Sequence, residues 1–128
     1  MEYPEAKEGF KKVEFKLPIK DNYKDYKVEI FVTFMTKATK CDAASSTVNL
    51  ERGYLLPGRY VYYEVKNKNI ETVVMTNSNC GEKIDKKVYN YPLFEEYRSE
   101  SPYICYIPKD MKIEYRIWKV EPKYIVVE

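Results

Sequence analysis

The side chains best equipped for chemistry in this chain carry sulfur. Cys41, Cys80, Cys105 and Met75 stand in a sequence with no histidine at all. That absence removes the usual general base at neutral pH and the usual nitrogen ligand for a metal. A Ser–His–Asp or Cys–His arrangement cannot be built from one such chain, and three cysteines alone make a poor zinc set. No glycine loop of the dinucleotide or P-loop kind is present. These residues point away from an enzyme and imply no cofactor and no metal. What remains is sulfur as a cross-link and sulfur as a soft apolar contact.

Both meet in Thr72–Cys80, TVVMTNSNC. Thr72, Val73 and Val74 favour extended backbone. Met75 follows, then a polar turn-forming run, then Cys80. An extended segment held at both ends with an apolar tip suits a protease cleft, which binds substrates as added strands with side chains in pockets. A stiff segment binds well because its ordering is completed during folding. The plainer alternative makes Met75 a core residue on a short strand.

The cysteines also admit two readings. One is a Cys41–Cys80 disulfide with Cys105, inside the alternating run YICYI, as a buried free thiol. It places the protein in an oxidising compartment, and closing that loop would stabilise the fold by roughly 4 kcal/mol. The other is three reduced thiols in the cytosol, since pairing cannot be deduced from spacing.

The elements that must position these residues are strands. At 128 residues the chain is one domain, 1–128, long enough for its own core. Fourteen tyrosines against four glycines favour pleated surfaces. Val13, Phe15 and Leu17 alternate with Lys12, Glu14 and Lys16; Tyr26, Val28, Ile30, Val32 and Phe34 share a second face; Met111, Ile113, Tyr115 and Ile117 alternate with Lys112, Glu114 and Arg116. Further strands are expected at Arg59–Lys66, Lys86–Tyr91, Tyr103–Ile107 and Lys123–Val127. No helical stripe is convincing, so the fold class is all-β, an antiparallel sandwich or barrel. The long C-terminal strand is an edge needing a partner, met either within the chain or by a second copy about a two-fold axis. A net charge of +2 without a long basic run argues against nucleic acid. No apolar run is long enough to span a membrane, and the opening Met-Glu-Tyr-Pro lacks the apolar core of a signal peptide.

Several motifs resemble the ecotin family, protein inhibitors of chymotrypsin-fold serine proteases. YPEAKEG (Tyr3–Gly9) is similar to its opening Tyr-Pro-x-Ala-x-x-Gly, and Lys27-Val28-Glu29 to its first long strand. Tyr60, Tyr62 and Tyr63 resemble its central strand, Tyr106 and Pro108 its Tyr-x-Pro, and YRIWK (Tyr115–Lys119) its Tyr-Arg-Val-Trp-Lys. Cys41 falls on the first disulfide cysteine, and an ungapped stretch from there places Met75 on the reactive-site methionine.

The resemblance implies a barrel or jelly-roll-like β domain, homodimeric by exchange of a C-terminal strand, periplasmic or secreted, with trypsin-, chymotrypsin- and elastase-like enzymes as partners. It implies a reactive loop of Thr72, Val73, Val74, Met75, Thr76 and Asn77, with Met75 in the primary pocket and Met75–Thr76 as the scissile bond. Cys41 and Cys80 would tie that loop to a bracing loop, Asp42–Thr47. A secondary protease contact would use Gly58, Arg59, Tyr60 and Val61 with Glu96, Arg98 and Glu100. The dimer strand would be Lys112, Ile113, Glu114, Tyr115, Arg116, Ile117, Trp118 and Lys119. The chain departs from the family in three places. Four residues, not two, separate Met75 from Cys80, and counting back from Cys80 would put Asn77 in the pocket position. Gly58 stands for a tryptophan, and Glu96 and Glu100 stand for basic residues. A different class remains as the alternative: a Tyr-rich β-sandwich binding or adhesion module that leaves proteases untouched.

Overall fold

A computed structural model describes residues 3–41, 43–66, 72–75 and 81–128. Among them the regular secondary structure is all strand apart from a 3-10 turn at Tyr23–Asp25. The strands are β1 (Phe10–Phe15), β2 (Tyr26–Ala38), β3 (Ala43–Ser46), β4 (Leu50–Leu56), β5 (Arg59–Val65), β6 (Thr72–Met75), β7 (Ile84–Tyr89), β8 (Leu93–Glu96), β9 (Tyr103–Pro108) and β10 (Lys112–Lys119). The first sheet runs β1-β9-β5-β4, and the second runs β10-β2-β7, with β8 also on β2. The expected all-β class is what forms. One junction departs from a purely antiparallel pattern: β5 and β9 pair in parallel, Tyr63 opposite Cys105.

β2 is the spine of the second sheet. Its 13 residues give it two usable edges. β10 fills one edge from Tyr26 to Thr33. β8 and β7 share the other, taking Lys27–Ile30 and Thr33–Ala38 in turn. The chain passes between those two short strands at Asn90, and the ladder there is completed by its side chain. Asn90 Oδ1 accepts from the Val32 backbone N–H at 2.8 Å, and the Asn90 backbone N–H donates to the Val32 carbonyl at 3.2 Å.

The core lies between the sheets. Val28, Ile30 and Val32, the apolar register of β2, meet Tyr63, Val65, Tyr103, Cys105 and Ile107 of the first sheet. The opposite register of β2 is not simply wet, as strict alternation would have it: Glu29 and Thr33 are also buried. β9 is covered on both faces. Its outer face lies under the N-terminal segment, where Tyr106 donates to the Pro4 carbonyl at 2.6 Å and Tyr3 donates to the Val61 carbonyl at 2.9 Å. Gly9, at φ 82°, turns that segment into β1. The Tyr-Pro…Gly opening is thus a clamp on the first sheet.

The expected strand at Lys123–Val127 does not form. Residues 120–128 carry no strand, and Tyr124, Ile125, Val126 and Val127 are almost fully exposed. Apolar alternation alone supplies no ladder partner, and β2 has both edges taken. β10 finds its partner within the chain, along all of Lys112–Lys119. It still ends the sheet order, so its outer edge is unpaired among the described strands. Asn90→Ala should leave the buried Val32 amide without its acceptor and cost about 1–3 kcal/mol in urea unfolding. A change below about 0.5 kcal/mol, the usual size for an uninvolved surface position, would remove Asn90 from this role.

Candidate functional site

The segment singled out by its Met75 is built as a strand. Thr72–Met75 forms β6 and pairs antiparallel with β3, in the register Ser46↔Thr72, Ser45↔Val73, Ala44↔Val74 and Ala43↔Met75. β3 and β6 make a two-stranded sheet of their own, apart from the two main sheets. An extended segment was expected through Thr72–Met75, beside a bracing loop over Asp42–Thr47; on the backbone four residues of each are ladder partners, so Ala43–Ser46 is a strand. The β-branched run Thr72–Val74 explains why extended pairing wins locally. Thr76, Asn77 and Cys80 lie outside the described residues, as does Asp42.

A two-stranded ribbon is marginal in water by itself. This one is anchored through β3, which lies against β7 and the end of β2. Cys105, by contrast, sits in the middle of β9, free and fully buried. Burial pushes its thiol up to about 12, against an opposing pull from Arg98. A thiol so protonated and enclosed is no nucleophile.

The two stretches expected to form a secondary contact are brought together. Gly58 and Arg59 sit at the β4–β5 turn, and Tyr60 follows with φ 59°, the lone positive φ among described non-glycine residues. A left-handed tyrosine costs roughly 1–3 kcal/mol and persists only where its surroundings enforce it. Val61, Glu96 and Arg98 then line one pocket of about 490 Å³, with Lys27, Arg52, Tyr54, Phe94 and Glu95. Glu100 is exposed and does not line it. Arg52, Tyr54 and Glu95 carried no sequence signal, and Lys27 was singled out for its strand alone. Arg52 and Glu95 are 43 positions apart, and only the topology brings them into contact.

Beneath that pocket Glu95 is buried. Arg52 grips it with two nitrogens, and Tyr63 donates to it at 2.7 Å. Arg98 donates to the Tyr63 hydroxyl oxygen at 3.1 Å and lies over the Tyr103 ring, 4.0 Å from its centroid. On the far face of β2, Glu29 accepts from Arg116 and from the Trp118 indole. Burial works against its charged form, but those hydrogen bonds outweigh it and hold the carboxyl below the usual glutamate range. Arg116 and Trp118, from the expected dimer strand, are thereby locked onto β2 of the same chain.

No His/Cys/Asp/Glu group among the described residues could hold a metal ion. No described helix is long and apolar enough to cross a membrane. What the geometry offers is an extended strand on a small ribbon of its own beside a stiff β scaffold.

Comparison with known proteins gives that arrangement a family. The Ecotin family model matches residues 1–120. Ecotin of Serratia proteamaculans strain 568 is 26% identical over 122 residues, covering 93% of this chain and 71% of that protein. Ecotin of Pseudomonas putida strain W619 is 26% identical over 118 residues, with 91% and 74% covered. Ecotin of Pseudomonas fluorescens strain Pf0-1 is 26% identical over 126 residues, with 94% and 76% covered. With 120 of its 128 residues matched, this chain belongs to the ecotin family of serine protease inhibitors and is not an enzyme.

Two outcomes check this chemistry. A thiol reagent at pH 8 should leave Cys105 unlabelled in the native protein and label it on unfolding; rapid native labelling would show that β9 opens. Glu29 binds its proton less readily folded than unfolded, so its contribution is complete above the ordinary glutamate range and is lost as the pH falls through it to the folded value. Glu29→Gln should therefore lower Tm at neutral pH and flatten its acid-side decline. An acid limb like that of the wild type would place the sensitivity on another carboxylate.

Proposed function

We propose that this protein, acting as a single ecotin-like domain over residues 1–128, inhibits chymotrypsin-fold serine proteases by occupying the cleft as a substrate would. The observation that carries the reading is the extended Thr72–Met75 strand on its own small ribbon, in a chain of this family. Thr72, Val73 and Val74 lie on the acyl side, Met75 fills the primary pocket, and Thr76 and Asn77 continue on the leaving-group side. Methionine is unbranched and polarizable, so one side chain suits trypsin-, chymotrypsin- and elastase-like pockets of different shape.

Cys41 and Cys80 form the tether in this reading. The register supports it: β3 starts two positions after Cys41, and its first residue, Ala43, pairs with Met75, the last described residue before Cys80 in the chain. The third cysteine is free and buried. With the leaving strand so held, a cut Met75–Thr76 bond cannot separate, and it reseals. An oxidising compartment, periplasmic or extracellular, follows from the tether. Gly58, Arg59, Tyr60, Val61, Glu96, Arg98 and Glu100 belong to a second contact with the protease. The protein is a homodimer through β10 and the residues beyond it, supported by the unpaired outer edge of β10 and the bare apolar run Tyr124–Val127.

An inhibition panel of trypsin, chymotrypsin and elastase tests this. Wild type should inhibit all three. Met75→Asp should lose roughly 3–5 kcal/mol of affinity for chymotrypsin, because it places an unpaired charge in an apolar pocket. An unchanged inhibition constant would remove Met75 from the pocket. No inhibition of any of the three would instead favour a binding module.

A further inference from the structure

Tyr60 is held in a backbone conformation that it would leave if its flanks were free. A left-handed non-glycine residue persists only where its surroundings over-determine it. On one flank the fixing is local. Pro57-Gly58, with Gly58 at φ 69°, closes a two-residue turn, and Arg59 pairs with Leu56 across it. On the other flank Val61 pairs with Tyr54 of β4. Its second edge faces away from β4, where the parallel ladder with β9 takes in only Tyr63 and Glu64. The donor at that edge comes from the start of the chain. The Tyr3 hydroxyl, 58 positions away, donates to the Val61 carbonyl at 2.9 Å.

Tyr3 is itself fixed. Its carbonyl accepts from Lys12 Nζ at 3.3 Å, and the next carbonyl, of Pro4, accepts from the Tyr106 hydroxyl at 2.6 Å. The N-terminal segment is thus tied to β1, β9 and β5 in turn, and it ends on the residue after Tyr60. Burial pushes the Tyr3 hydroxyl up, Arg98 pulls it down and Tyr60 pushes it up again, so it stands within electrostatic reach of both. Tyr60 and Arg98 come from the two separate stretches of the second protease contact. Tyr3 sits where those stretches converge, in a segment that neither includes.

We propose that Tyr3 is a positioning residue for the second protease contact: its hydroxyl, acting through Val61, sets the left-handed turn that presents Tyr60. This role rests on the inhibitory reading above and on its second contact. It is tested by inhibition constants for chymotrypsin at 25 °C, with wild type, Tyr3→Phe, Tyr60→Gly, the double variant and Arg59→Glu. Tyr3→Phe keeps the ring and removes only the hydroxyl. It should raise the inhibition constant about three- to tenfold, the size of one lost hydrogen bond. A purely structural role would lower stability without moving a constant measured where every variant is folded, which urea unfolding verifies. Glycine takes the left-handed backbone without help. Adding Tyr3→Phe to Tyr60→Gly should therefore change the constant less than about twofold, and that non-additivity marks a role exerted through Tyr60. Tyr3→Phe without effect, while Arg59→Glu shifts the constant, overturns the proposal and leaves the second contact standing. Equal losses from Tyr3→Phe in both backgrounds overturn it as well. Arg59→Glu and Tyr60→Gly both without effect remove the second contact, and this role with it, while inhibition through Met75 stands. No inhibition by wild type removes all three.

Discussion

A buried carboxylate between the two sheets is the constraint around which the rest is arranged. Glu95 sits on β8 in the register of Val28, which turns it towards the core. An ionised carboxylate cannot remain there unpaired. Arg52 of β4 and Tyr63 of β5 meet that demand, and both belong to the opposite sheet. The match holds only for one register of β8 on β2 and one placement of the sheets. Arg98, Tyr63, Tyr103, Phe15 and Tyr115 extend the same line, with Phe15 stacked between Tyr103 at 4.9 Å and Tyr115 at 4.3 Å. That column runs from the polar cluster to β10, so the edge strand is positioned by rings whose far end is fixed by charge.

The second organising fact is the length of β2. A single strand long enough for two short neighbours on one edge lets β8 serve the polar cluster while β7 serves the ribbon. β8 carries Glu95; β7 lies against β3. The presented strand and the Arg98 pocket thus grow from different neighbours of one spine, separated by the crossing at Asn90. A two-stranded ribbon has too little core to hold itself. Its rigidity has to come from β7 and β2 below it.

Much of this was legible in the sequence, and the limits have physical causes. Period-two alternation announced β1, β2 and β10 because one face of each packs and the other is charged. It overreached at Lys123–Val127, where an apolar pattern met no partner edge. It missed β3, β4 and β8: AASS and LFEE have no alternating apolar face, and in β4 Gly53 interrupts the pattern, opposite Tyr62. Burial of Cys105 could be read from YICYI because a central strand is apolar on both faces. Met75 drew attention by its neighbours, yet its place opposite Ala43 depended on a pairing between segments that composition does not link. The Arg52–Glu95 contact was invisible for the same reason. Long-range pairing of charges is a property of topology.

The seclusion of Cys105 bears on how the molecule is made. Three thiols can pair in three ways, and two of those use Cys105. Either would have to keep β9, the strand covered on both faces, out of the interior while the bond persisted. Once β9 has closed against β1 and β5, its sulfur is withdrawn from exchange and one combination is left. For the proposed Cys41–Cys80 tether, assembly of the sandwich would therefore act as the proofreader of its own oxidation, and an oxidant arriving before collapse is the circumstance in which a wrong cross-link would accumulate.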